Sequence, residues 1–226
     1  MGLIHETTPD AAARAVLLPG WRNVYRSDQE IMIREAVERW GRPKWPTARV
    51  LHELVFDRGT ARADIAFIEP ANIIAIEIKS DRDDTKRLVH QINMFRMAVP
   101  ELWIISPHRH IKDAECVRHN IISVGIGLVD RPPNPYGPLP DQLDIVERNQ
   151  AIWDQPIPEA TLSLLWKAEL IDEAQRAGMS TPKSANHAKL VQIMLRLTWD
   201  EQIAAVCRQL RARRTLHVSD PPIALH

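Results

Sequence analysis

The sequence predicts a mixed α/β fold, a sheet flanked by helices and followed by an all-helical C-terminal appendage. Three observations predict it. Residues 73–79 read Ile-Ile-Ala-Ile-Glu-Ile-Lys, nearly apolar on both faces, as a central strand is. Helical and extended patterns before residue 130 follow the order helix, three strands, helix, strand. Beyond it, prolines at 132, 133, 135, 138, 140, 156 and 158 interrupt any regular element before three helical patterns begin.

The elements follow in order. Residues 1–26 carry no strong period and read as an arm. Ser27 and Glu30 have capping-box spacing, and Ile31, Ile33, Arg34, Val37 and Trp40 continue as a helix over about 28–40. Residues 48–56 are β-branched and apolar and end at the turn signal Asp57-Arg58-Gly59. Residues 61–68 alternate small or apolar residues with Arg62 and Asp64, stopping at Glu69-Pro70. After the 73–79 strand, Asp81, Asp83 and Asp84 lead into a helix over about 85–98, with Leu88, Ile92, Phe95 and Val99 on one stripe and Pro100 as its stop. Residues 102–106 form another buried strand, and 121–129 supply one or two more. The C-terminal helices are expected over about 159–177, 184–197 and 199–213, with Gly178 ending the first and Thr198 with Glu201 opening the last. The expected divisions are an arm at 1–26, a core at 27–130, a proline-rich linker at 131–158, a helical region at 159–214 and a tail at 215–226.

Composition narrows the function classes. Net charge is zero, so no global field draws the chain to nucleic acid or anionic lipid, and any such contact needs a local arrangement of charge. Cys116 and Cys207 lie far apart without metal-ligand spacing, which excludes a disulfide framework or zinc cluster and fits a reducing cytoplasm. No run approaches the roughly 20 apolar residues that span a bilayer, and Glu6 and Asp10 argue against a secretory signal. We expect a cytoplasmic protein with no membrane partner.

The chemistry concentrates on the hairpin of residues 61–79. Glu77 and Lys79, two apart on a strand, project from one face among Ile and Ala neighbours. Charges in such surroundings are costly unless paired, hydrogen-bonded or bound to metal. The turn Glu69-Pro70-Ala71-Asn72 brings Asp64 beside Glu77 on the neighbouring strand. Two facing carboxylates repel, and a divalent cation is the simplest way to hold both ionised. Mg²⁺ or Mn²⁺ on Asp64 and Glu77, with the Ile78 carbonyl, would polarise a phosphoryl oxygen and lower the pKa of a water, while Lys79 orients that water or stabilises developing charge.

Arg62-Ala63-Asp64 followed by Ile76-Glu77-Ile78-Lys79-Ser80 resembles the PD-(D/E)XK, or restriction-endonuclease-like, nuclease superfamily, with Ala63 where the family name has proline. Gln91, one helix beyond the lysine, matches branches that place a glutamine there. Phe95 stands where many such nucleases have tyrosine. The pattern of Glu53, Asp64, Glu77-Ile78-Lys79-Ser80-Asp81 with Asp84, then Arg87-Leu88 and Gln91, with Leu164-Leu165-Trp166 later, is similar to an uncharacterised bacterial and phage branch. The resemblance implies a restriction-endonuclease-like mixed sheet and a metal-dependent nuclease, with DNA as substrate and RNA still open. It implies a setting in DNA repair, phage replication or defence, with catalytic Asp64, Glu77, Lys79 and Gln91. A non-cleaving nucleic-acid-binding or assembly subunit of the same fold is the alternative, and a protein partner or homodimer is compatible with either.

Other residues stay open. Glu53 is a third acidic ligand or a surface glutamate at a strand edge, and Glu35 is its weaker competitor. Arg62 and Arg87 are candidate phosphate contacts, Arg87 equally well a plain exposed arginine. Arg208 and Arg211, in a run with Arg213 and Arg214, offer a basic face for a phosphate backbone or the solvated side of a helical cap. His108, His110 and His119 read as loop histidines rather than ligands.

Overall fold

The computed structural model of the chain describes residues 28–56, 59–130, 142–214 and 220–223. The arm expected at 1–26, the Ser27 cap and most of the tail lie outside the described residues. Six strands form one sheet in sequence order: β1 (Arg49–Phe56), β2 (Ala61–Ile68), β3 (Ile73–Ile78), β4 (Glu101–Ser106), β5 (Gly125–Asp130) and β6 (Asp144–Asn149). β1 to β3 are an antiparallel meander, β4 and β5 run parallel to β3, and β6 returns antiparallel to β5. The mixed α/β class is therefore as the sequence predicts.

Helices cover both faces. α1 (Asp28–Gly41) precedes β1, α2 (Leu88–Arg96) crosses from β3 to β4, and α3 (Ile111–Asn120) crosses from β4 to β5. These crossovers are what a parallel pair requires. All six residues of β3 are buried, as its apolar run demands. One face packs Ile65, Phe67, Ile74, Ile76, Trp103 and Ile105 against Ile33, Ala36 and Val37 of α1. The other packs Ala66, Ile68, Ile73, Ala75 and Ile104 against Leu88, Ile92 and Phe95 of α2.

The C-terminal helices are α4 (Pro158–Leu162), α5 (Lys167–Arg176), α6 (His187–Met194) and α7 (Trp199–Ala212). Leu162, Leu170, Leu190, Val206 and Leu210 from them share one buried cluster with α2 and the sheet. They complete the second face of the sheet rather than hanging beside it. Arg49 of β1 ties them down by donating to the carbonyls of Leu210 and Arg211 at 3.2 and 2.6 Å.

Three expectations are corrected. The stretch expected to be an irregular linker up to 158 contributes β6, a polar strand whose residues alternate between exposed and half-buried. Ile145 and Val146 are its apolar residues, too few for a strand signal because it is an edge strand, fixed by Trp40 Nε1 donating to Glu147 at 3.0 Å and by the Lys44–Glu147 ion pair at 2.5 Å. The single helix expected over 159–177 is two, because Trp166 is extended and its N–H donates to Glu169 at 2.6 Å, starting α5 afresh. Residues 111–120, given no element from sequence, form α3, which buries only Ala114 and Val117 and so shows little periodicity. The Thr198/Glu201 capping box opens α7, and Gly178 takes the left-handed backbone (φ 71°) that stops the chain after α5. Among the described residues no helix is long and apolar enough to cross a membrane.

Candidate metal and phosphate site

The register of the meander aligns three carboxylates. Glu53 lies between the paired His52↔Ile65 and Leu54↔Ala63, hence opposite Asp64. The pairing Ile65↔Ile76, carried one residue further, sets Asp64 opposite Glu77. Glu53, Asp64 and Glu77 thus form one row across β1, β2 and β3. The row coincides with a break in strand alternation. Leu51 and Leu54 enter the same core, as do Ala63 and Ala66, although residues three apart on a regular strand face opposite ways. Glu53 absorbs the switch with a φ of 60°, a conformation that costs a residue other than glycine about 1–3 kcal/mol.

Each carboxylate of the row has a cationic partner. The guanidinium of Arg34, buried on α1, donates through Nη2 to Glu53 and to Asp64 at 2.8 Å each and to Glu30 at 3.3 Å. Its Nη1 donates to the Asp64 carbonyl at 2.5 Å. The other Asp64 oxygen accepts the Ile78 N–H at 2.7 Å. The other Glu53 oxygen pairs with Arg62, whose side chain is otherwise exposed. His52, beside Arg34, pairs with Glu38 at 3.0 Å.

Glu77 is held differently. Lys79 Nζ donates to Glu77 Oε1 at 2.7 Å and to Gln91 Oε1 at 3.3 Å, so strand and helix meet at the ammonium as the sequence anticipates. Glu77 Oε2 is buried with no hydrogen-bond partner among the described residues. Burial, and then the charge of Asp64, push the Glu77 carboxyl up to about 8, against the pull of Lys79 and Gln91. Burial also raises Asp64, against Arg34 and the Ile78 amide, and raises Glu30. Among the described residues no group of three or more His, Cys, Asp or Glu side chains is gathered to hold a metal ion.

Asp64 and Gln91 line a cleft of about 510 Å³ together with Arg62, Arg87, His90, Thr60 and Val55. Both candidate arginines of the hairpin region therefore face the same opening. Arg208 and Arg211 do not line it. Arg208 grips the buried Glu173 with donations at 3.1, 3.2 and 2.6 Å, and Arg211 donates to the Thr47 carbonyl at 3.2 Å. His110 is buried 3.8 Å from Asp113 on the α3 side, apart from the carboxylate row. The loop after β3 is ordered by its own aspartates: Asp83 accepts from the Ser80 N–H at 2.5 Å and Asp84 from the Lys86 N–H at 2.8 Å, so α2 begins only at Leu88.

Arg34 is the residue that sequence reasoning missed. Its signal was present, since an arginine on the stripe of Ile33 and Val37 has no place in a core unless acids meet it. Arg34 of α1 joins the row, with Glu30 of the same helix on its guanidinium.

No curated protein and no solved structure matches the chain. A family model described as Bacteriophage P4 protein cII matches residues 29–213, from the first turn of α1 to just past α7. That span covers most of the sequence, and the chain belongs to the Bacteriophage P4 protein cII family.

Proposed function

We propose that the chain is a divalent-metal-dependent phosphodiesterase of the PD-(D/E)XK, restriction-endonuclease-like kind, cleaving nucleic acid with DNA as substrate. The observation that carries the reading is Glu77 Oε2, a buried carboxylate oxygen with no partner, facing Asp64 across one strand pair. A buried carboxylate oxygen in that state lacks a partner, and a divalent cation placed there would satisfy it and offset the burial and the Asp64 repulsion that raise Glu77. The donors fit Mg²⁺ or Mn²⁺: Asp64 and Glu77 supply carboxylate oxygens, and the Ile78 carbonyl is the backbone candidate. Arg34 and Arg62 hold the oxygens of Glu53, and Arg34 and the Ile78 N–H hold those of Asp64, so a bound ion shares Asp64 with these donors.

When bound, such an ion polarises a phosphoryl oxygen and makes a neighbouring water acidic enough to attack. The chain's residues do the rest. Lys79, fixed between Glu77 and Gln91, holds an ammonium where charge develops on the phosphate. Gln91 limits the rotamers of Lys79. Arg62 and Arg87 at the cleft supply the local positive charge that a neutral chain needs to hold a phosphodiester. The family's name accords with a phage setting, in replication or defence, and repair stays compatible with it.

A specific observation favours a second reading, a non-cleaving nucleic-acid-binding or assembly subunit. Arg34 and Arg62 already pair Asp64 and Glu53 through the protein alone. The experiment incubates the purified chain and its Asp64→Ala and Glu77→Gln variants with single-stranded, duplex and branched DNA and with RNA, in Mg²⁺, Mn²⁺ or EDTA. Metal-dependent cleavage lost in both variants supports the first reading. Metal binding without cleavage of any substrate establishes the second.

A further inference from the structure

Arg34 does more than fill a core position. Its Nη2 sits 2.8 Å from both Glu53 and Asp64, the spacing at which one cation bridges two carboxylates of neighbouring strands. A second ion in the row would have to share both Glu53 and Asp64 with a guanidinium already seated between them, whereas one ion between Asp64 and Glu77 shares Asp64 alone.

We infer that Arg34 takes the place of a second metal ion in the carboxylate row, so that the chain binds a single divalent cation, between Asp64 and Glu77. This rests on the metal-dependent reading above and specifies its stoichiometry. Arginine suits the role because its planar fork holds Asp64 at both carbonyl and carboxylate while the same Nη2 reaches Glu53, and it never loses its proton, whereas lysine offers a point charge. Arg34 is thereby a positioning residue: it touches no substrate, but fixes which oxygens of Asp64 face the cation. The β1 backbone supports this, since the left-handed turn at Glu53 carries that carboxylate to the guanidinium.

The test counts Mn²⁺ bound to the full chain at pH 7.5, by the loss of the free-ion electron paramagnetic resonance signal and by calorimetry. The wild-type chain should bind one Mn²⁺, lost in Glu77→Gln. Arg34→Met combined with Glu30→Gln removes the guanidinium together with one of the acids it serves. It should bind a second Mn²⁺, abolished again by adding Glu53→Gln, and its melting temperature should rise with Mn²⁺ by more than that of the wild type. Because that variant is at risk of not folding, Arg34→Lys is measured beside it. The lysine variant should keep one site but bind Mn²⁺ at least several-fold more weakly, since Asp64 is no longer held by a fork. Two Mn²⁺ on the wild type, or an unchanged affinity in Arg34→Lys, overturns the inference while leaving the metal-dependent reading standing. No Mn²⁺ on the wild type overturns both.

Discussion

The Lys79 ammonium lies 2.7 Å from one oxygen of the Glu77 carboxylate and leaves the other oxygen without a hydrogen-bond partner among the described residues. A salt bridge built only for stability would satisfy both oxygens, because a half-satisfied buried charge costs more than an apolar pair of the same volume. Holding Glu77 in this state, on a strand buried along its whole length, gives up stability at one point of the sheet. Such losses gather where a fold keeps chemistry.

Stability of the metal-free chain should fall as pH rises toward 8. Glu77 titrates near 8 when folded and near its usual 4.5 when unfolded, so between those values the native chain holds a proton that the unfolded chain has released. The contribution is complete below about 4.5 and is lost as pH passes through 8. The raised Asp64 and Glu30 carboxyls act in the same direction. Thermal melts in EDTA from pH 6 to 9 should show a declining midpoint that flattens in Glu77→Gln and in saturating Mg²⁺. A wild-type profile parallel to that of Glu77→Gln would contradict the assignment.

Lys79→Met should separate chemistry from folding. Removing the ammonium takes from buried Glu77 the cation it pairs with, a loss of about 3 kcal/mol, at the low end for a broken buried pair because Glu77 can take up a proton instead. Urea denaturation at pH 6 and at pH 8.5 checks this, and the loss should be larger at the higher pH. Cleavage should fall by at least about a hundredfold, while one Mn²⁺ still binds.

How far the sequence carries is clear from particular residues. β2 spans 61–68 as expected and the ends of α1, β1 and β3 fall within a residue or so of expectation, because their apolar patterns report burial directly. The approach of Gln91 to Lys79 was legible too, since one strand, one turn and one helix fix it. The place of Arg34 on an apolar stripe was legible, but its partners were not, because Glu53 and Asp64 lie on two later strands and no local spacing announces three-way convergence. The phase switch at Glu53 was equally hidden. Period-two reading assumes regular backbone, and a φ of 60° at a glutamate has no sequence signature. β6 escaped because an edge strand with little to bury looks like a loop.

Gly41→Ala should destabilise through packing rather than helix propensity. A Cβ at Gly41, the last residue of α1, would stand 2.3 Å from Phe67 Cζ. Phe67 is itself buried against Trp45, their ring centroids 4.9 Å apart, so it has little room to retreat. The expected cost is about 1–3 kcal/mol. Because α1 carries Arg34, Mn²⁺ affinity should weaken in the same variant. A melting temperature equal to that of the wild type would show that Phe67 yields freely.

Arg208→Ala distinguishes a basic face for nucleic acid from a structural clamp. Arg208 meets both oxygens of Glu173, whose side chain is 1% exposed, and Gln209 Nε2 donates to the same carboxylate at 2.7 Å. Deleting the guanidinium leaves the buried charge between α5 and α7 to Gln209 and to Arg176 at 3.9 Å, so stability should drop by about 3 kcal/mol, the low end for a broken buried pair. Affinity for a DNA duplex and its salt dependence should stay unchanged, because a residue engaged in this way releases no counterion from a phosphate. Arg62→Ala and Arg87→Ala, at the cleft, should do the reverse, weakening binding and flattening the salt slope with little change in melting temperature. A shallower salt slope in Arg208→Ala with unaltered stability would move the nucleic-acid surface to the C-terminal helices and away from the cleft.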